Sequence, residues 1–292
     1  MKKVIAGFVK TVSAAIGKTR MEKLLIYSAK VLNINLHEHG LVQIGAYISH
    51  IPEKNGESFF VQNILPRLIE SGFHPIFFDV GANVGNYALG LRNRFPDANI
   101  YTFEPVRSTY DLLNNNVSGC RIDTYNLGLG DKKGRATIFN KANNNNTELA
   151  TLYSDVFKAG GKSEGEITSS QCEIDTIDNF CDTTQVKNIH FLKIDVEGHE
   201  LSVLKGASEM LKRKRIDIIQ FEFNSHNIYS RVYLRDFFLS LNDFEIFRIL
   251  PNGLLRLGAY NSANEIFLLQ NLLAVRKDIC HLLDKSYLYS PY

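Results

Sequence analysis

The spacing of apolar and polar positions divides the chain near Pro75. Upstream, to about Leu68, it reads as helical and loop segments without a strong strand, punctuated by Gly40, Gly45, Pro52 and Gly56. Val4, Ile5, Phe8, Val12 and Ile16 share one helical face, with Lys10 and Lys18 elsewhere, which predicts an amphipathic helix. Packing on the domain that follows is the plainer role for that helix, and peripheral contact with an anionic membrane is the other. Downstream the period changes. Ile76-Phe77-Phe78-Asp79-Val80 is a short apolar run ending in a glycine-rich turn, after which Tyr87, Leu89 and Leu91 begin a helical pattern. The unit returns with a strand over 100–103, a helix over 106–115 and a strand over 122–126. From 128 to 180 the pattern is irregular, with β-prone pieces at 136–139 and 171–174 separated by loops at 143–146 and 159–165. A strand over 189–194, a helix over 200–211 and a strand over 216–223 follow. Two late strands, over 244–250 and 265–270, flank the turn Pro251-Asn252-Gly253, at least one of them antiparallel. This alternation predicts a Rossmann-like α/β domain over 70–275, a mostly parallel twisted sheet with helices on both faces and a late antiparallel strand. Residues 1–69 then form a helical N-terminal extension and 276–292 a C-terminal tail.

Composition narrows the class. With 45% hydrophobic and 22% charged residues the chain can bury a core, and a net charge of +2 is too near balance for a general grip on nucleic acid. Cys120, Cys172, Cys181 and Cys280 form no CxxC pair, so a reducing cytoplasm fits better than a zinc knuckle or a disulfide framework. Lys2 and Lys3 precede an apolar stretch in the manner of a secretory signal, but Lys10 interrupts it, and no run reaches the ~20 apolar residues of a spanning helix. A homo-oligomer is compatible with all of this.

In open α/β sheets a ligand sits beyond the carboxyl ends of the strands, and the first strand-to-helix turn carries the contact. Here that turn runs Asp79-Val-Gly81-Ala-Asn83-Val-Gly85-Asn86. Gly81 and Gly85 permit sharp turning and close approach, and Asp79 can accept a hydrogen bond or face a cation. Glu104, at the end of the next strand, can take both hydroxyls of a ribose. A dinucleotide needs GxGxxG, whereas Asn83 and Asn86 occupy the second and third glycine positions, so a pyrophosphate seat is compromised. S-adenosylmethionine carries no phosphate, and its ammonium, sulfonium and carboxylate suit an acidic residue opening a looser glycine turn. A methyltransferase therefore stands ahead of a nicotinamide-dependent oxidoreductase, and a non-catalytic nucleotide-binding or interaction module is the alternative of another class. Asn126, ending the third strand, bonds an adenine or serves the turn.

Taken together, DVGANVGNYA at 79–88, FEP at 103–105, NLGLGD at 126–131, IDTID at 174–178 and LKIDVEGHELSVLKGA at 192–207 resemble the FkbM-type methyltransferase family over about 76–250. The resemblance implies a class I methyltransferase fold, S-adenosylmethionine as cofactor and O-methylation of sugar, glycan or natural-product hydroxyls. By motif, it implies that Asp79, Gly81, Asn83 and Gly85 line the methionine side and Glu104 the ribose. Asn83 stands where many methyltransferases have a middle glycine.

Methyl transfer to an alcohol is an in-line displacement that needs alignment and a proton acceptor. The fourth parallel strand delivers Asp195, Glu197, His199 and Glu200, and the fifth delivers Glu222 and Asn224 with His226 beyond. Glu200 suits a helix start. His199 is the natural acceptor by its ordinary pKa, with Glu197 and Glu222 as competitors, and Asp195 sits where it can meet substrate, base or metal. Asp195, Glu222 and Asn224 also supply oxygen ligands suited to Mg²⁺, a secondary expectation. Tyr229, Arg231 and Tyr233 could contact a sugar or serve the core or surface.

Overall fold

A computed structural model describes residues 11, 14–47, 51–69, 74–142, 150–157 and 166–289. The expected loops at 143–146 and 159–165 lie outside the described residues, as do Val4, Ile5, Phe8 and Val12 of the expected first helix. Two compact units emerge, Met1–Ile44 and Gly45–Tyr292. In the first, helix α1 (Lys18–Val31) and helix α2 (Leu36–Gln43) are joined by Asn35, whose side chain accepts from the Glu38 N–H at 3.2 Å and caps α2.

The second unit is built on strands β1 (Ile76–Val80), β2 (Asn99–Phe103), β3 (Ile122–Tyr125), β4 (Gly128–Leu129), β5 (Gly134–Ala142), β6 (Glu166–Asp175), β7 (Ile189–Ile194), β8 (Ile216–Phe223), β9 (Phe244–Leu250), β10 (Gly253–Arg256), β11 (Gln270–Arg276) and β12 (Leu288–Tyr289). Nine of them form one sheet in the order β12-β10-β9-β11-β8-β7-β1-β2-β3. β3, β2, β1, β7 and β8 run parallel, and the central β1, β7 and β8 are apolar along most of their length, as strands covered on both faces require. β11 enters between β8 and β9, antiparallel to both. Strand order reverses between β1 and β7, which sets the crevice at their carboxyl ends. This is the expected Rossmann-like, mostly parallel sheet with a late antiparallel strand.

Several boundaries differ from the sequence reading, each for a local reason. The segment 57–68 does not belong to an extension ending at residue 69. It runs helically through Glu57–Phe59, a π-helical turn Phe60–Ile64 and Leu65–Leu68, and it buries Phe60, Ile64 and Leu65 against Phe77, Phe191 and Ile218 of the sheet. Burial of side chains of this size stabilises by about 1.5–3 kcal/mol each, so the unit built on the sheet starts upstream of residue 70. The tail expected over 276–292 is partly sheet, since β12 pairs with β10. The second of the two expected late strands starts at Gln270 and not at 265, and the Glu265 carboxylate instead accepts the free N–H groups of Leu234 and Arg235 at 2.8 and 3.0 Å, at the start of the helix Leu234–Ser240. The helix expected over 200–211 breaks into Glu200–Lys205 and Ser208–Lys212 at Gly206, where a Cβ would lie 1.9 Å from the Gly130 carbonyl oxygen. The irregular stretch folds as a second sheet, β4-β6-β5, with β5 and β6 paired antiparallel along nine residues.

Cys120, Cys172, Cys181 and Cys280 are free thiols. Among the described residues no helix is long and apolar enough to cross a membrane.

Candidate active site

A cavity of about 700 Å³ opens at the carboxyl ends of β1, β2, β7 and β8. One rim is the β1 turn. Gly81 takes φ 82°, and a Cβ there would fall 1.8 Å from the Asp195 backbone oxygen, so only glycine lets the β1 and β7 loops meet. The Gly81 and Ala82 N–H groups donate to the Phe103 carbonyl at 3.0 and 3.1 Å, tying the turn to the end of β2. Asn83 adopts φ 48°, a left-handed conformation that Asn tolerates better than most side chains. Its N–H donates to Glu104 Oε2 at 3.1 Å, while the Val106 N–H donates to Oε1 at 2.9 Å. Burial pushes the Glu104 carboxyl up to about 7 despite those two donors. Gly85 begins helix α3 (Asn86–Arg94) at φ 91°, close against Leu113 and Val117.

Gly81, Asn83, Asn86 and Glu104 line the cavity; Asp79, Gly85 and Asn126 do not. Asp79 is fully buried beneath the turn, in register with Lys193 on β7. Burial raises its carboxyl to about 6, the Lys193 ammonium opposing that rise, and among the described residues neither of its oxygens has a hydrogen-bond partner of good geometry. Asn126 spends its amide on the carbonyls of Glu104 and Pro105 at 2.9 and 3.1 Å, so it braces the β2 loop.

The opposite rim is charged. The Lys193 ammonium donates to Asp195 Oδ2 at 2.8 Å and lies 4.7 Å from the centre of the Tyr87 ring. Desolvation alone would lower Lys193, yet Asp195 and Asp79 hold it above its ordinary value. Glu197 takes φ 52°, followed by Gly198 at φ 98°, a strained turn of the kind found at functional sites. That turn brings Glu197 Oε2 within 2.5 Å of His226 Nδ1. Burial works to lower His226, but the contact and charge of Glu197 prevail and raise it. Glu222 is raised well above the usual carboxylate range by burial and by the charges of Asp195 and Glu197. Ligand atoms of Asp195, Glu197 and Glu222 lie within 4.8 Å of one another, close enough to hold a metal ion. Asn224 does not join them as expected. Its Nδ2 donates to Glu222 at 2.5 Å and Glu197 at 3.4 Å, and its Oδ1 accepts from the His226 N–H at 2.7 Å, so it presents a donor to the cluster and Glu197 takes its place.

His199 lines the cavity beside Tyr153, whose hydroxyl lies 3.2 Å from Nδ1. Desolvation lowers its pKa, favouring the neutral ring. Glu200 is buried, accepts the Gly198 N–H at 3.0 Å and is raised to about 7 by burial, consistent with the structural role read for it. Tyr229, Arg231 and Tyr233 are not among the lining residues.

Sequence reasoning missed a polar network beneath the charged rim. Tyr87 donates to Gln220 at 2.6 Å, Gln220 to Glu57 at 2.7 Å, and Asn55 to Glu57 at 2.9 Å. Lys193 and Gln220 did carry a signal, since each is a long polar side chain flanked on both sides by apolar residues of a parallel strand, where burial demands a partner. Glu57 carried none, because only the packing of the segment 57–68 brings it to β8.

The crevice of this doubly wound sheet thus pairs a glycine turn and a buried acid with an acidic cluster, the layout of an α/β fold with a ligand crevice at its strand ends. The chain belongs to the FkbM methyltransferase family: residues 79–248 match its model, described as the methyltransferase FkbM domain. It is 30% identical over 161 residues to methyltransferase sdnD of Sordaria araneosa, covering 47% of this chain and 61% of that one. It is 28% identical over 185 residues to the hexuronic acid methyltransferase AglP of Haloferax volcanii, covering 61% and 68%. With the 2-O-methyltransferase NoeI of Sinorhizobium fredii it shares 22% identity over 189 residues, covering 61% and 76%. The chain spans about three fifths of the length of the first curated relatives it matches.

Proposed function

We propose that this protein transfers a methyl group from S-adenosylmethionine to a hydroxyl of a sugar, glycan or other natural product. One observation carries the reading: Glu104 on the β2 rim and the Asp195, Glu197 and Glu222 cluster on the β7 and β8 rim line the same cavity. The cradle suits the cofactor. Glu104 would take the ribose hydroxyls, and the open backbone at Gly81 and Asn83 would admit the methionine portion, with Asn86 at the head of α3 beside it. Asp79 would act from beneath, as a charge paired with Lys193 and not as a direct ligand. When bound, S-adenosylmethionine supplies an electrophilic methyl group on sulfur.

The chain's own residues would do the rest. Asp195 holds Lys193 through Oδ2, which leaves Oδ1 to take the acceptor's hydroxyl proton. Glu222, whose protonated form burial favours, would donate a hydrogen bond to the acceptor and is ill suited to be the base. Glu197, gripped by His226, would orient the acceptor, and neutral His199 is the reserve proton acceptor. The same three carboxylates could instead hold Mg²⁺, but the Lys193 ammonium already supplies positive charge there. The resemblance of the chain to proteins described as a hexuronic acid methyltransferase and a 2-O-methyltransferase supports a sugar acceptor. A cytoplasmic setting belongs to the reading, supported by the free thiols.

Calorimetric titration with S-adenosylhomocysteine and with NADH, joined to a screen of labelled methyl incorporation into glycan, lipid and small-molecule fractions, tests it. Tight NADH binding in place of the nucleoside would substitute an oxidoreductase, and nucleoside binding with no acceptor in any fraction would leave a non-catalytic module. Loss of turnover on chelation would promote the metal-assisted form.

A further inference from the structure

Among the described residues, the first compact unit has almost no core of its own. In α1 the sole buried residue is Ala29, and α2 buries none. Leu24, Tyr27 and Val31 recur at i, i+3 and i+7 and so share one helical face, and they are 53%, 68% and 66% exposed. Leu25, Leu32 and Leu36 extend the apolar surface. Exposure of this many large apolar side chains together marks a surface that something covers.

Charge identifies the covering. Residues 1–44 contain seven Lys and Arg, at 2, 3, 10, 18, 20, 23 and 30, against Glu22 and Glu38 alone, a surplus of five positive charges. The full chain carries only +2, so the remainder is net negative by three. Lys23 and Lys30, seven residues apart, line the edge of the Leu24, Tyr27 and Val31 face. A helix with an apolar face edged by cations lies in the plane of a membrane interface, its apolar side in the acyl boundary and its cations among anionic headgroups. A second copy of the same unit would bring like charge against like, and nucleic acid would leave the aliphatic face in water.

We propose that α1 and α2 dock this protein on an anionic lipid bilayer, with Leu24, Tyr27 and Val31 inserted and Lys23 and Lys30 against the headgroups. The proposal does not depend on methyl transfer. The test uses the whole chain and sedimentation with vesicles, of phosphatidylcholine alone or enriched in phosphatidylglycerol. Binding to the anionic vesicles should exceed binding to neutral ones by about tenfold or more and weaken in high salt. The double variant Leu24→Asp with Val31→Asp should lose about tenfold in partitioning, and Lys23→Glu with Lys30→Glu should lose the preference for anionic lipid. Both pairs should keep the wild-type melting temperature and affinity for S-adenosylhomocysteine. Equal or absent sedimentation with both vesicles overturns the proposal. So does a concentration-dependent dimer abolished by the aspartate pair, which would assign the face to a second copy, or a lowered melting temperature in that pair, which would assign it to packing within the chain.

Discussion

The β1–β2 rim and the β7–β8 rim of the cavity are built by different means. At the first, backbone does the work: three left-handed residues, two N–H groups on the Phe103 carbonyl and two on the Glu104 carboxylate, with little freedom for side chains. At the second, side-chain charge does it: Asp195 on Lys193, Glu197 on His226, and Glu222 beneath Asn224. A backbone cradle admits almost no substitution. A side-chain cluster can be retuned residue by residue, and under the proposed reading this is the side that meets the methyl acceptor.

That contrast is open to attack, and Gly81→Ala is the hardest blow. A Cβ 1.8 Å from the Asp195 carbonyl, at φ 82°, must push the two rims apart, so urea denaturation should register a loss of about 4 kcal/mol or more and nucleoside binding should vanish. Next comes Asp195→Asn, which removes the proposed proton acceptor without touching the cradle. Its kcat should fall about 10²–10³-fold while the Kd for S-adenosylhomocysteine moves less than about threefold. A large change in Kd with intact turnover would mean that the two rims are not separate in function.

Glu104→Gln probes the carboxylate that lines the cradle. Calorimetry should find nucleoside binding weaker by about 2 kcal/mol, the scale of hydrogen bonds to a charged group. It should also change how stability depends on pH. In the folded protein burial raises Glu104 from 4.5 to about 7, so the unfolded chain ionises first as pH climbs. Stability contributed by the protonated folded form is full below about 4.5 and is lost on the way to about 7, at a cost of a few kcal/mol. The variant should lack that decline, which urea melts across this interval will measure. Smallest is Asn126→Ala. If the side chain braces the β2 loop, stability falls by about 1–2 kcal/mol and nucleoside affinity changes less than about threefold; a larger affinity loss would restore it as a ligand of the base.

The same contrast explains what was legible in the sequence. The turn from Asp79 to Asn86, and Glu104 after the next strand, are local patterns, because a backbone cradle needs particular residues at fixed short spacings. Their placement was readable, whereas the burial of Asp79 out of the cavity was not, since the direction of a side chain at a strand end depends on its neighbour Lys193. Asp195, Glu197 and Glu222 could be named from their strand ends, but Asn224 was read as an oxygen ligand although its amide turns its nitrogen to the carboxylates. Which atom an amide presents follows from the Asn224 to His226 turn, a tertiary detail. Glu57 lies more than 160 residues from Gln220, so no spacing could announce their contact. The alternation of strands and helices set the parallel sheet, while the segment 57–68 escaped because a helix packed on a sheet looks much like one that is not until its apolar face meets Phe77 and Phe191.

The position of β11 carries a consequence for how the protein is made. Because that strand is threaded between β8 and β9, a chain emerging from the ribosome exposes both of their open edges until residues 270–276 are free. The carboxylates of β8 therefore acquire their final dielectric surroundings only once that strand has paired, and a polypeptide cut short before it keeps two open strand edges beside an unfinished cavity.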